Sequence, residues 1–280
     1  MNETKSSSAA DVSLTSLCKA VREDVLNMVY QAGSGHLGAS LSAVEILVAL
    51  YGSGLFRCDP KSPDWPRRDR LILSKGHAVP ALYSVLCHRG FFPRDELAGL
   101  RQLGRILQGH PNVSRTPGID CSSGSLGQGL SIANGMAWGL RRQNNPGRVY
   151  CVLGDGELQE GQIWEAALTA AHHKLANVCA IVDNNRFQLD GPTDFVKKME
   201  PLADKWRSFG WQVCTVDGHN HDQLLAAYNQ ARNNTHGPTV ILADTIKGKG
   251  VSFMENNCEW HSNPPTQAQW QAALAEILAG

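Results

Sequence analysis

Short apolar runs ending in Gly, Asp or Asn alternate with helix-patterned segments through the second half of this chain, and no other feature narrows its fold so far. The runs are RVYCVLGDG (148–156), NVCAIVDNN (177–185), WQVCTVDG (211–218) and TVILADT (239–245), with LILS (71–74) earlier. Between them lie EGQIWEAALTAAHHK and a stretch near 220–233, both with apolar residues at helical spacing. Continuous apolar strands need cover on both faces, which is the condition of a parallel sheet sandwiched by helices. The predicted class is α/β, doubly wound, with a mostly parallel sheet. Ligands of such sheets bind beyond the carboxyl ends of the strands. GDG, DNN, VDGH and DTIKGKG all fall there.

The first half is read more coarsely. Apolar residues recur at helical spacing from Val12 to Gln31, a second helix covers LSAVEILVALYG, and KGHAVPALYSVLCHRG returns to the same period. RCDPKSPDWPRRDR is too rich in proline and charge to be regular. Residues 108–128 carry Gly, Ser, Pro and Asn without a period and form a long loop; loops of that length usually have a function. A further helix is expected through LSIANGMAWGLRRQ. Residues 1–11 are small and polar and are expected to be a flexible N-terminus, leaving 12–280 as one domain. The Met1 start and the AEILAG ending fit a complete chain.

Several classes are excluded early. Lys plus Arg number 26 and Asp plus Glu number 26, so no net charge draws the chain to nucleic acid or an anionic membrane. No stretch approaches the roughly 18 apolar residues of a spanning helix, and no signal peptide opens the sequence. Eight cysteines are scattered without a C-x-x-C pair, which points to reduced thiols in a cytoplasmic protein rather than to a disulfide or zinc framework.

Asp155 and Asn185 stand at the tips of two successive strands, one strand-helix-strand crossover apart. If the strands are neighbours, a carboxylate and an amide oxygen face one crevice. These are hard donors and suit Mg²⁺, with Ca²⁺ or Mn²⁺ as alternatives, rather than zinc. So few protein oxygens leave the ion to complete its shell from water and phosphate. Gly154 and Gly156 let the backbone approach such a phosphate. Taken singly, Gly-Asp-Gly and Asp-Asn-Asn are ordinary turns.

Together they resemble the thiamine diphosphate motif, which begins Gly-Asp-Gly and ends about 30 residues later in Asn. GSGHLGASLSAVEIL (33–47), SKGHAVPALYSVL (74–86), GHPN (109–112), SSGSLGQGLSIANGMA (122–137) and DTIKGKGVSFMENNCEWH (244–261) resemble transketolase in order and spacing. The resemblance runs from about residue 12 to 265 and covers only that enzyme's N-terminal, diphosphate-binding part. It implies thiamine diphosphate as cofactor and sugar phosphates as substrates. It implies catalytic roles for His36, His77, His110 and His261, whose imidazoles move protons on sugar hydroxyls near neutral pH.

It further implies that Asp155, Asn185 and the Phe187 carbonyl hold the metal. His77, Gly124, Leu126, Gly154, Gly156, Lys247 and His261 would line the cofactor, with the Gly156 amide on a phosphate. Glu160 would link cofactor sites across a subunit interface. His88, His172, His173 and His236 are read as structural or solvated, and His219 and His221 stay ambiguous.

The glutamate that activates the aminopyrimidine ring belongs, in transketolases, to a second domain that this sequence does not contain. The expectation is therefore one half of a split transketolase, inactive alone, with a pyrimidine-domain partner subunit in an α2β2 assembly. Two other readings are the α subunit of a 2-oxoacid dehydrogenase or another thiamine enzyme, and a non-catalytic cofactor-binding paralogue.

Overall fold

The computed structural model describes residues 14–280; the expected flexible segment 1–11 lies outside them. The chain runs α1 (Leu14–Ala32), α2 (Leu37–Ser42), α3 (Val44–Gly52), β1 (Arg70–Leu73), α4 (Val79–His88), α5 (Gly129–Arg142), β2 (Val149–Gly154), α6 (Gly161–His172) and β3 (Val178–Asn184). An antiparallel hairpin follows, β4 (Phe187–Gln188) with β5 (Gly191–Pro192). Then come α7 (Thr193–Lys197), α8 (Leu202–Ser208), β6 (Gln212–Asp217), α9 (His221–Asn233), β7 (Thr239–Asp244) and α10 (Gln267–Ala279).

The five longer strands form one parallel sheet in the order β1-β2-β3-β7-β6. Alternate residues of each strand enter two different cores, which is why the runs are apolar without a break. Tyr150, Val152, Cys179 and Ile181 pack with α1 to α4 and α9 on one face. Val149, Cys151, Leu153, Ala180 and Val182 pack with α5, α6 and α8 on the other. Each buried Val, Leu or Ile contributes roughly 1.5–3 kcal/mol. After β3 the chain crosses to the edge strand β6 and returns through α9 to β7, which pairs with β3. Strand order reverses there, and the loops at the carboxyl ends of β2, β3 and β7 frame a crevice.

The structure departs from the sequence reading in four places. LSAVEILVALYG is two helices, α2 and α3, broken at Ala43 (φ −89°, ψ 0°). At the break the Ser42 hydroxyl bonds to the Asp183 carboxylate (2.6 Å), a tertiary contact invisible to periodicity. Gly-Asp-Gly does not run directly into α6, because a 3-10 turn, Gly156–Gln159, intervenes. The β4-β5 hairpin with α7 and α8 is absent from the sequence reading, its elements being too short to show a period. So is α10, whose N-terminus carries a capping box of Thr266 and Gln269; Trp270 stacks on Tyr30 of α1 with ring centroids 4.8 Å apart. All eight cysteines are free thiols. Among the described residues no helix is long and apolar enough to cross a membrane.

Candidate functional site

A cavity of about 390 Å³ opens at the carboxyl ends of β1, β2 and β3. One wall carries Gly154, Asp155, Gly156, Glu160, Asn185 and Phe187. The other carries His36, His77, His110, Gly124, Leu126, Lys247 and His261. The crevice thus gathers every residue singled out in the sequence, from segments more than 200 positions apart.

On the first wall, Asp155 and Asn185 are 5% and 4% exposed. Their strands are hydrogen-bonded neighbours, with Gly154 in register with Asp183. Asp155 Oδ2 accepts from the Arg186 amide (2.5 Å) and Oδ1 from the Gly156 amide (2.8 Å). The Gly156 amide, expected to meet a phosphate, is therefore turned toward the carboxylate. Asn185 Nδ2 points to the Ser42 hydroxyl (3.3 Å), and Oδ1 accepts from the Phe187 amide (3.1 Å). Burial, reinforced by the Asp183 charge, pushes the Asp155 carboxyl up to about 7. Glu160 stands at the N-terminus of α6, exposed, with its Cβ against Gly127.

On the second wall the rings of His36, His77 and His261 form a triangle with centroids 5.1 to 5.5 Å apart. Burial, with help from Arg101 and neighbouring imidazoles, draws His36 down to about 4. Burial and Lys247 draw His261 down to about 3. Burial and Lys75 hold His77 well below the usual histidine range, and burial and Arg101 lower His110. At neutral pH the three clustered rings are uncharged, and a neutral imidazole offers one donor and one acceptor. Lys247 Nζ donates to His261 Nδ1 (2.9 Å), which puts the His261 proton on Nε2. His36 Nδ1 is buried without a protein partner, a polar atom left over for a ligand.

Gly38, in the GHLG stretch, makes this wall possible. A Cβ there would stand 2.9 Å from Lys247 Cε and 3.0 Å from the Trp260 carbonyl oxygen.

Beneath the cavity lies a charged layer that sequence reasoning did not single out. Lys75, 1% exposed, pairs with Asp183, 0% exposed, and also donates to the Ala39 carbonyl (3.1 Å). Asp183 accepts from Ser42 and Thr245 as well. Glu157, 3% exposed, accepts from the Gly127 amide (2.9 Å), the Gly154 amide (3.0 Å) and the Ser74 hydroxyl. It ties the long loop to the ends of β1 and β2. A usable signal was present: an ionisable residue at the end of a fully buried strand needs an opposite charge, and Lys75 after LILS and Asp183 after AIV form such a pair.

Of the histidines set aside, His88 bonds to Asp24 (2.9 Å) and His173 packs on Trp138. The ambiguous pair is structural in contact: His219 bonds to Glu45 (2.9 Å), and His221 to Cys18 (3.3 Å).

Residues 13–276 match the family described as "Transketolase, thiamine diphosphate binding domain". The chain belongs to the transketolase family. It is 45% identical over 270 residues to the 6-deoxy-6-sulfo-D-fructose transketolase subunit SqwG of Clostridium sp. (strain MSTE9), covering 96% of this chain and 98% of that one. To one of the subunits of apulose-4-phosphate transketolase from Phocaeicola vulgatus it is 38% identical over 256 residues, covering 91% and 90%.

Among solved structures, transketolase from Campylobacter jejuni superposes with a TM-score of 0.89 at 33% identity, over 94% of this chain and 42% of that one. Transketolase from Leishmania mexicana gives 0.88 at 28% identity, over 95% and 41%. The chain therefore spans about two-fifths of these transketolases of known structure.

The donor set of this transketolase-family cavity fits a small hard cation. One carboxylate, one side-chain amide oxygen and one backbone carbonyl come together at Asp155, Asn185 and Phe187, and magnesium is commonly held this sparsely, with water and phosphate completing the shell. Among the described residues no group of three or more His, Cys, Asp or Glu could hold a metal, so a softer, all-protein zinc-type site does not compete.

One consequence is measurable on the chain alone. His36 and His261 have folded values below that of a free imidazole, so their contribution to stability is full above about pH 6.5 and is lost as pH falls through about 4 and 3. Histidine-selective ¹H–¹⁵N NMR at pH 5.5 is expected to show both rings neutral; two imidazolium signals there would contradict the burial argument.

Proposed function

We propose that this chain is the diphosphate-binding subunit of a two-chain transketolase, moving a two-carbon ketol unit from a ketose to an aldose, each bearing a terminal phosphate or sulfonate. The observation that carries the reading is the division of one cavity into a hard-donor wall, Asp155 with Asn185 and Phe187, and a wall of neutral imidazoles. The subunit relatives have this length, and their names supply the anionic sugar class. Retention of such sugars inside cells agrees with a cytoplasmic location.

In this reading Asp155, Asn185 and the Phe187 carbonyl hold Mg²⁺, which bridges to the diphosphate of thiamine diphosphate. Lys247, Gly124 and Leu126 line the remainder of the cofactor's site. When bound, the cofactor supplies an electron sink for breaking and making the carbon-carbon bond next to a ketose carbonyl. The chain's own work is to orient the sugar and handle its protons. His36, with an unpartnered Nδ1, and His77 accept or donate at substrate hydroxyls, His261 presents its Nε2 proton, and His110 closes the mouth over Gly124. Neutral rings can do both, which acid–base exchange on a hydroxyl requires.

A partner chain supplies the activating glutamate, in an α2β2 assembly. The apolar groups left at the cavity mouth support this: Leu126 and Leu189 line it and are 38% and 58% exposed, the kind of surface that a second chain covers. The test is to mix this chain with a purified pyrimidine-domain chain, thiamine diphosphate and Mg²⁺. Ketol transfer is expected from the mixture and from neither chain alone; a mixture no faster than its parts overturns the reading.

A further inference from the structure

Arg101 is set apart by its backbone. It is a non-glycine residue at φ 60°, a left-handed conformation that costs an L-residue roughly 1–2 kcal/mol and persists where surrounding contacts over-determine it. Its amide donates to the Leu107 carbonyl (2.8 Å), closing the loop between them. Its Nη1 donates to the Ser34 hydroxyl (3.2 Å), two residues before His36. Its guanidinium packs against Gly109, the residue before His110, so closely that a Cβ there would come within 2.9 Å of Arg101 Cζ. The side chain is thus held between the segments that carry two of the cavity's imidazoles, and its charge is felt at both. Every other fixed cation nearby is committed: Lys75 to Asp183 and Lys247 to His261. Arg101 makes no ion pair with a carboxylate among the described residues and is exposed to solvent.

We propose that Arg101 is a specificity-determining residue, a pre-positioned guanidinium at the cavity rim that contacts the terminal oxyanion, phosphate or sulfonate, of the sugar substrate. The inference deepens the transketolase reading and rests on it. A planar fork of N–H donors suits a tetrahedral oxyanion, and the strained loop and the glycine beneath it fix the fork before substrate arrives, so little is lost in ordering it. The reacting end of the sugar lies deeper, among His36, His77 and His261, with the charged tail toward the mouth.

The experiment uses the complex with the partner chain and compares Arg101→Gln and Arg101→Lys with the unaltered protein, with glycolaldehyde as acceptor. Donors are a phosphorylated ketose, a sulfonated ketose and uncharged erythrulose. Losing one charge-assisted contact is expected to lower the ratio of kcat/KM for either charged donor to that for erythrulose by about 10- to 100-fold. The change should sit mainly in KM, and Lys should recover part of it. A fall with only one charged donor identifies the tail that the residue reads.

An unchanged ratio, or an equal loss on erythrulose, overturns the proposal. A raised thiamine diphosphate requirement in Arg101→Gln does so too, since it would assign the residue to the cofactor. If the unaltered complex turns over none of the donors, the transketolase reading fails first, and a failure of Arg101 alone is distinguishable from it.

Discussion

Asp155→Asn is expected to abolish metal-dependent cofactor binding while making the metal-free chain more stable at neutral pH. The two effects have one cause. A carboxylate 5% exposed, bonded only to two backbone amides and close to the Asp183 charge, holds its proton to about pH 7 in the native chain. Unfolded, it releases that proton near pH 4. A group whose folded value is raised contributes stability that is complete below the unfolded value and is lost as pH rises through the folded one. The loss here is about 4 kcal/mol between pH 4 and pH 7. Asparagine resembles the protonated carboxyl and escapes it.

Urea melts without metal should therefore place the variant level with the parent at pH 4 and above it at pH 7. Thermal-shift titration with Mg²⁺ and thiamine diphosphate should stabilise the parent and leave the variant unmoved, because removing a primary ligand exceeds the 10- to 100-fold affinity cost typical of outer-shell changes. A variant less stable than the parent at pH 7 would show that the carboxylate serves the fold. An undiminished thermal shift would show that it holds no metal.

Lys75→Met carries the largest expected cost to folding. The lysine is 1% exposed and its partner Asp183 is fully buried. Removing one member of such a pair strands a charge in a low-dielectric layer, which costs about 3–5 kcal/mol. Ser42 and Thr245 keep their bonds to Asp183 but bring no positive charge. Adding Asp183→Asn to Lys75→Met removes the stranded charge and should restore most of the stability, so the double variant melts above the single one. A double variant at least as unstable as the single one would mean that Lys75 acts by filling space. The layer also bears on the cavity, since Lys75 lowers and Asp183 raises the Asp155 carboxyl.

The parallel sheet was legible because both faces of β2, β3 and β7 are covered, and burial on both sides leaves an unbroken apolar signature. The cavity was legible for a related reason: strand ends are where such sheets hold ligands, and Asp155 and Asn185 mark two adjacent ends. What escaped was fixed by partners distant in sequence. The break at Ala43 follows from Ser42 reaching Asp183 across 141 positions, and α10 is held by Trp270 stacking on Tyr30 and bonding to Asn27, 243 positions away. Glu157 reads as a helix-start acid, yet it points inward to three donors, two of them from other segments. The Gly156 amide was misjudged because a 3-10 turn curls it back onto Asp155 before α6 begins.

The most direct test is a crystal structure of the chain with its partner, thiamine diphosphate and Mn²⁺, with the metal located by anomalous scattering. A single peak within bonding distance of Asp155, Asn185, the Phe187 carbonyl and the cofactor's diphosphate is the expected result. Metal bound elsewhere, or a diphosphate held with no cation touching Asp155 and Asn185, would contradict it.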